Sequence, residues 1–266
     1  MPEIEQEAPI WNREQQFRGS MRKYWRSRYN LFSRYDQGII LTKELWFSVT
    51  PESVSIFIAR IIKAAFKDKC HNILDLFCGG GGNTIPFLYY FQHVYCLDNT
   101  EMHLQCTLNN ARVYYDEEVI TNHLKVIQCD WKYSIDSDEK SIEALNTQRS
   151  IKYLKSEKID IVFGSPPWGG PSYLSSDVYN TDNLMPFRLE KLLRSLKQIS
   201  DRIVLFLPKN SDLDQILSES QKVFDDDAVP RTFRMSINGH EKGLLCCWGE
   251  EFANVNLEDA KTDTIV

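Results

Sequence analysis

One short apolar run constrains the fold of this chain more than any other feature: Ile73-Leu74-Asp75-Leu76-Phe77 stops at Cys78 and leads into four consecutive glycines, Gly79 to Gly82. Five residues, four of them apolar, are strand length, and a turn nearly free of side chains lets a ligand approach the backbone closely. Upstream, apolar residues at 54, 57, 58, 61, 62 and 65 give a helical period over 52–66, with Thr50 as a cap and Pro51 at the first turn. Downstream, 84–91 can be helical despite the early Pro86. The unit predicts helix, strand, glycine turn, helix.

The theme recurs, with strands expected at 93–98, 124–129, 159–164 and 202–207 and helices at 101–115 and 184–199. Short strands alternating with helices predict an α/β chain with a mostly parallel, doubly wound sheet. The end breaks the pattern, because 232–237 and 243–248 read as two strands joined by Asn238-Gly239, a hairpin signal. A parallel sheet finished by an antiparallel C-terminal hairpin is the Rossmann-like, class I methyltransferase architecture. Residues 131–157 are polar and poorly periodic, and an insertion is expected there.

Composition narrows the function classes. The 266 residues are 42% hydrophobic, enough for one large α/β domain with an appendage. A net charge of −6 argues against a broad surface that coats duplex phosphates. Basic residues nevertheless concentrate locally: residues 18–34 hold Arg18, Arg22, Lys23, Arg26, Arg28 and Arg34, no acid, and the aromatics Tyr24, Trp25, Tyr29 and Phe32. Acids cluster instead at 136–139, 225–227 and beyond Glu250. The seven cysteines form no C-x-x-C pair and the histidines no ligand spacing, so no metal centre is expected and the thiols are expected to be reduced, as in a cytosolic or nuclear protein. No stretch approaches the roughly 18 apolar residues of a membrane span.

In an open α/β sheet, ligands bind beyond the strands' C-terminal ends, where the strand order reverses. The loop from Asp75 to Asn83 is therefore the candidate cofactor turn, with Gly79 and Gly81 in it. Asp98 closes the second strand and suits the hydroxyls of an adenosine ribose. A nicotinamide fingerprint would put its third glycine where Thr84 stands. Asp75 instead suits the ammonium of a methionine moiety, and Asp130, after the third strand, the adenine amino group. The cofactor expected on this reading is S-adenosyl-L-methionine.

The fourth strand runs into Ser165-Pro166-Pro167-Trp168-Gly169-Gly170-Pro171. A polar residue, two prolines and an aromatic at a strand end form an amino-methyltransferase signature. An exocyclic nitrogen delocalises its lone pair into its ring. Hydrogen bonds from its N–H groups to the Ser165 hydroxyl and the Pro166 carbonyl would localise that pair toward the methyl group. Trp168 offers a flat surface on which a base can stack.

Taken together, Lys23-Tyr24-Trp25, Leu31-Phe32-Ser33-Arg34, Trp46-Phe47-Ser48-Val49-Thr50-Pro51-Glu52, the 75–83 loop, the 165–171 motif and Leu207-Pro208-Lys209-Asn210 make the chain resemble the trimethylguanosine synthases, cap guanosine-N2 methyltransferases. The resemblance implies that Phe47, Ser48, Thr50, Asp75, Asn83 and Asp98 line the cofactor site, and that Phe32, Ser165, Pro166 and Trp168 surround the base. It implies that Lys23, Tyr173 and Lys209 hold the cap triphosphate, with Asn210 beside them; Lys209 stands where some members carry arginine. It also implies a helical N-terminal lobe over 1–50 packed above a methyltransferase domain over 51–250. An acidic, disordered tail is expected over 251–266.

The expected partner is N7-methylguanosine-capped RNA, small nuclear and small nucleolar RNA above all. Ribonucleoprotein components would deliver it, and a monomeric enzyme would act in the nucleus, nucleolus or cytoplasm. Two alternatives stay open: an amino-methyltransferase acting on DNA or internal RNA bases, and an inactive cap-binding module.

Overall fold

Seven strands form one sheet in the order β3-β2-β1-β4-β5-β7-β6. They are β1 (Asn72–Leu76), β2 (His93–Asp98), β3 (Leu124–Gln128), β4 (Ile161–Gly164), β5 (Ile203–Leu207), β6 (Arg231–Ile237) and β7 (His240–Trp248). The computed structural model describes residues 10–67, 69–135, 140–170, 173 and 176–261. The first five strands pair in parallel, and β7 enters antiparallel between β5 and β6. The chain order reverses between β1 and β4, which puts the C-terminal ends of those two strands side by side.

The helices are α1 (Arg22–Arg26), α2 (Arg28–Leu31), α3 (Leu45–Ser48), α4 (Glu52–Phe66), α5 (Thr84–Tyr90), α6 (Glu101–Tyr114), α7 (Glu117–His123), α8 (Ile142–Ser156), α9 (Leu189–Lys197), α10 (Leu213–Val223) and α11 (Leu257–Lys261). Alternate strand residues feed two cores, as the two-residue period of a strand requires. Ile73, Ile161, Phe163, Val204 and Phe206 pack with Ile58, Ile62 and Phe87 of α4 and α5 on one face. Leu74, Leu76, Val162 and Leu205 pack with Leu154, Leu192 and Ile216 of α8, α9 and α10 on the other. Burial on both faces is why the central strands read as continuous apolar runs.

The N-terminal segment joins the first core through Leu31, Phe32, Leu41, Leu45 and Trp46. Trp46, 1% exposed, is ringed by Phe17 at 4.6 Å, Tyr35 at 5.6 Å and Trp25 at 6.1 Å, and its Nε1 donates to the Trp11 carbonyl at 2.9 Å. Buried indoles need such a partner. At the other end, Asn238 and Gly239 both take left-handed backbone angles (φ 49° and 77°), the requirement of a tight hairpin.

Three expectations need correction. Residues 131–157 are no insertion: they supply α8, the crossover between β3 and β4. Its inward stripe is Ala144, Thr147, Ile151 and Leu154, small or polar at half its positions, so the helical period is faint in the sequence. The tail is ordered as far as residue 261. Phe252 is fully buried 5.4 Å from Phe66, with Val255 and Ala260 also buried, while Glu250 and Glu258 lie on the surface. The expected helix at 184–199 begins only at Leu189, because Pro186 stands in the stretch before it. The acidic run at 136–139, the closing Pro171 of the motif and the last residues of the tail, 262–266, lie outside the described residues.

Candidate active site

At the end of β1 the backbone turns through Phe77, whose φ of 66° is rare for a non-glycine residue. The Phe77 and Cys78 amides both donate to the Leu97 carbonyl of β2, at 2.9 and 3.1 Å, which pins the turn over the neighbouring strand. The Gly79 amide donates to Asp98 Oδ2 at 3.0 Å. The missing side chains of two of the glycines serve packing as well. A Cβ on Gly80 would stand 2.8 Å from Leu41, and one on Gly82 would stand 2.9 Å from Val49. The N-terminal segment thus sits directly on the loop.

Asp75, 1% exposed, takes one hydrogen bond from the Thr84 hydroxyl at 2.5 Å, and its Oδ1 has no partner among the described residues. Burial pushes its carboxyl up from 3.8 to about 7, against the Thr84 bond, which lowers it. Asn83 donates to Thr50 Oγ1 at 3.1 Å and leaves its own buried Oδ1 without a donor. Two buried acceptors without donors, one of them a carboxylate, call for a cationic N–H ligand. The ammonium of S-adenosyl-L-methionine is such a group, so these residues fit it. Phe47 and Ser48 are exposed on α3, and Thr50 is buried at the loop.

Asp98 is the last residue of β2, with both oxygens engaged. Oδ2 accepts from Gly79, and Oδ1 from the Thr100 amide at 2.9 Å. A carboxylate can accept more than two bonds, but this one also shapes the loop. Asp130 stands on the adjoining strand end, where its side chain caps the Trp131–Tyr133 turn and pairs with Lys132 at 3.0 Å.

On the facing side, Gly164 of β4 pairs with Leu76 of β1, so Ser165 emerges beside the glycine loop. The Met185 amide donates to the Pro167 carbonyl at 3.2 Å, and the Tyr179 hydroxyl to the Trp168 carbonyl at 3.2 Å. Trp168 Nε1 donates to the Phe206 carbonyl at 3.3 Å, and its ring meets Phe206 at 5.6 Å and Tyr173 edge-on at 5.3 Å. The motif is held at its far end. The half-buried Ser165 hydroxyl and the Pro166 carbonyl have no hydrogen-bond partner among the described residues.

A sequence model described as RNA cap guanine-N2 methyltransferase matches residues 70–251, a span that includes both strand ends and both loops. The chain belongs to the RNA cap guanine-N2 methyltransferase family. Trimethylguanosine synthase of Saccharomyces cerevisiae is 39% identical over 262 residues, covering 98% of this chain and 75% of the relative. The synthase of Schizosaccharomyces pombe is 34% identical over 197 residues, 74% of each chain. Among solved structures, a putative methyltransferase from Porphyromonas gingivalis W83 superimposes with a TM-score of 0.61 at 13% identity, over 88% of this chain and 51% of that one. That likeness concerns the fold alone.

In this cap methyltransferase the remaining predicted residues fall into two groups. Tyr24 of α1 meets Phe47 at 5.2 Å with Lys23 Nζ over its ring at 5.0 Å, and it lies close enough to Tyr173 to help burial raise that phenol's pKa. Lys23 is exposed and Lys209 half-buried. The Asn210 side-chain amide donates to the Ser176 carbonyl at 2.8 Å and its main-chain carbonyl accepts from the Tyr179 amide, so it ties the loop after Trp168 to the end of β5. Phe32 departs from expectation. It is 2% exposed inside the first core and offers no open face to a base. The next residue is fixed by its amide and hydroxyl, both donating to Glu52.

Three residues of α6 went unnoticed in the sequence. Asn110, fully buried, accepts from the Ile40 amide and donates to the carbonyls of Ile40 and Gly80, each at 2.9 Å. Thr107 donates to the Gly79 carbonyl at 2.7 Å. His103 stands 3.3 Å from Asp98 and 3.4 Å from Thr42. The signal was available: polar residues at 103, 107 and 110 share one helix face, and that face is buried.

Proposed function

We propose that this family member converts the N7-methylguanosine cap of RNA to N2,N2,N7-trimethylguanosine in two successive methyl transfers from S-adenosyl-L-methionine. One observation carries the reading. Two acceptors with no hydrogen-bond partner among the described residues, the Ser165 hydroxyl and the Pro166 carbonyl, lie next to a half-buried indole, on the strand end beside a loop whose buried Asp75 carboxyl has an oxygen likewise without a partner among them.

The bound cofactor would supply an electrophilic methyl group, held by Asp75 and Asn83 at its amino-acid end and by Asp98 at its ribose. Asp130 would receive the adenine amino group in exchange for its contact with Lys132. Ser165 and Pro166 accept the N–H bonds of the exocyclic amine and turn its lone pair out of the ring. Pro166 and Pro167 fix that geometry without offering competing donors. Trp168 sets the attack angle by stacking and favours the cationic N7-methylated ring. No strong base is required, because the methylated amine is acidic and its surplus proton can pass to water. Lys23, Tyr173 and Lys209 receive the triphosphate, Lys209 as a point charge.

The proposed substrates are small nuclear and small nucleolar RNAs, presented by ribonucleoprotein components to a monomeric enzyme in the nucleus. Mass analysis of m7GTP incubated with the protein and cofactor tests the reaction. Gains of one and then two methyl groups are expected. An unchanged m7GTP beside methylated DNA or internal RNA would overturn the reading.

A further inference from the structure

His103 is a buried polar side chain that the proposed methyl transfer does not use. It stands in the first turn of α6, 9% exposed, with one ring nitrogen toward the cofactor site and the other toward the N-terminal segment. Nδ1 lies 3.3 Å from Asp98 Oδ1, and Nε2 lies 3.4 Å from Thr42 Oγ1. Glu44 Oε2 is farther from Nε2, at 3.8 Å, and its side chain is 75% exposed. The other two polar residues of this helix face, Thr107 and Asn110, bond to main-chain groups of the glycine loop and of Ile40. His103 instead meets the side chain expected at the cofactor ribose.

The partners decide where the ring carries its proton. A carboxylate accepts and does not donate, so Nδ1 bears the hydrogen and His103 donates to Asp98. Nε2 then presents a lone pair to the Thr42 hydroxyl, which donates to it, while Thr42 Oγ1 accepts from the Leu45 amide at 3.4 Å. A polar chain thus runs from the start of α3 through one imidazole to the end of β2. At Asp98 it adds a third donor. The Gly79 amide bonds Oδ2 at 3.0 Å and the Thr100 amide bonds Oδ1 at 2.9 Å, so His103 gives Oδ1 its second bond. A carboxylate has about four lone-pair sites, and with three donors around it both its plane and the direction left for a ligand are set.

We propose that His103 is a positioning residue for cofactor recognition: its Nδ1–H holds the Asp98 carboxylate in the orientation that receives the ribose hydroxyls, and Thr42 holds the ring in place to do so. The proposal rests on the reading of Asp98 as the ribose acceptor. His103 itself touches no part of the cofactor and acts through the carboxylate, so its effect belongs to the hydroxyls and not to the adenine or the amino-acid end.

The test measures, by calorimetry, binding of S-adenosyl-L-homocysteine and of its 2′-deoxy and 3′-deoxy analogues to the wild type, His103→Asn and His103→Gln. Losing a hydroxyl that bonds a carboxylate should cost the wild type roughly tenfold or more in affinity. Asparagine puts an amide N–H where Nδ1 stands, whereas glutamine carries its own farther out, toward Nε2. The Asn variant should therefore keep most of this discrimination, and the Gln variant should lose about three- to tenfold of it. A role in packing alone would treat the two amides alike. Measurable binding of S-adenosyl-L-homocysteine shows that each variant is folded. Equal discrimination by the two variants, greater discrimination by the Gln variant, or loss of all binding in both would overturn the proposal. If the wild type itself binds all three ligands equally, the ribose reading of Asp98 falls and this proposal falls with it. If the wild type discriminates and the two variants do not differ, the role of His103 alone falls.

Discussion

If Asp75 receives the cofactor ammonium, as proposed, its buried carboxyl makes cofactor affinity depend on pH. Its pKa is raised to about 7 because it is desolvated, and Thr84 is its one donor among the described residues. An incoming ammonium requires the ionised form, so binding below that pH must expel a proton. At pH 6 about one molecule in eleven is ionised, which weakens binding roughly tenfold, or about 1.4 kcal/mol. Affinity should level out above about pH 7 and decline again near pH 8, where an α-amino group loses its own proton. Titration calorimetry in buffers of different ionisation heat would read this as release of close to one proton at pH 6. Asp75→Asn keeps the shape and removes the charge. It should bind more weakly at pH 7.5 by about 1.5 to 3 kcal/mol and lose the decline from 7.5 to 6. The same group has a stability signature. The folded chain keeps a proton that the unfolded chain releases between about 4 and 7, so stability without cofactor falls as pH rises through that window. Wild-type affinity that stays flat from pH 6 to 7.5, with no proton released, would refute the assignment.

Three further outcomes follow from the geometry. Trp168→Ala should remove most of the preference for m7GTP over GTP, a cation–π contribution of roughly 0.5 to 2 kcal/mol, and leave cofactor affinity near wild type; intact preference in direct binding would exclude the stacking role. Asn110→Ala breaks three buried hydrogen bonds between α6, the N-terminal segment and the glycine loop, so thermal unfolding should report a loss of about 2 to 4 kcal/mol, with cofactor affinity reduced as well; an unaltered melting temperature would show that the clamp is dispensable. Asp98→Ala should weaken cofactor binding at least tenfold, with protease sensitivity appearing in the loop at Gly79, because the same carboxylate orders that turn; unchanged cofactor affinity in calorimetry would remove Asp98 from the site.

The sheet was legible because β4 and β5 are buried on both faces and spell apolar runs, because β1 does so with Asp75 as its one buried break, and because Asn238-Gly239 can serve few turns other than a hairpin. What escaped reading is what the sheet recruits by polar contact. Thr147 on α8 and Asn110 on α6 face inward with hydrogen bonds, donating to backbone carbonyls such as those of Asp130 and Gly80, so hydrophobic periodicity passes over them. The glycine loop reads in sequence chiefly as room for ligand approach. That Gly80 and Gly82 also make room for Leu41 and Val49 depends on a segment some 30 to 40 residues upstream, and no local pattern reveals it. Phe32 illustrates the reverse case, a residue placed by resemblance toward a base that the packing of the N-terminal segment turns into core.

On the proposed reading, the Ser165 hydroxyl and the Pro166 carbonyl, which have no hydrogen-bond partner among the described residues, direct methyl transfer to the exocyclic N2 of an N7-methylated guanine. Locating the transferred methyl by NMR, with m7GTP and cofactor labelled in its methyl group, tests it most directly. The account predicts label on N2 alone, first one group and then two, and little or none with GTP. Label on another atom of the base or on the ribose, or equal transfer to GTP, would contradict it.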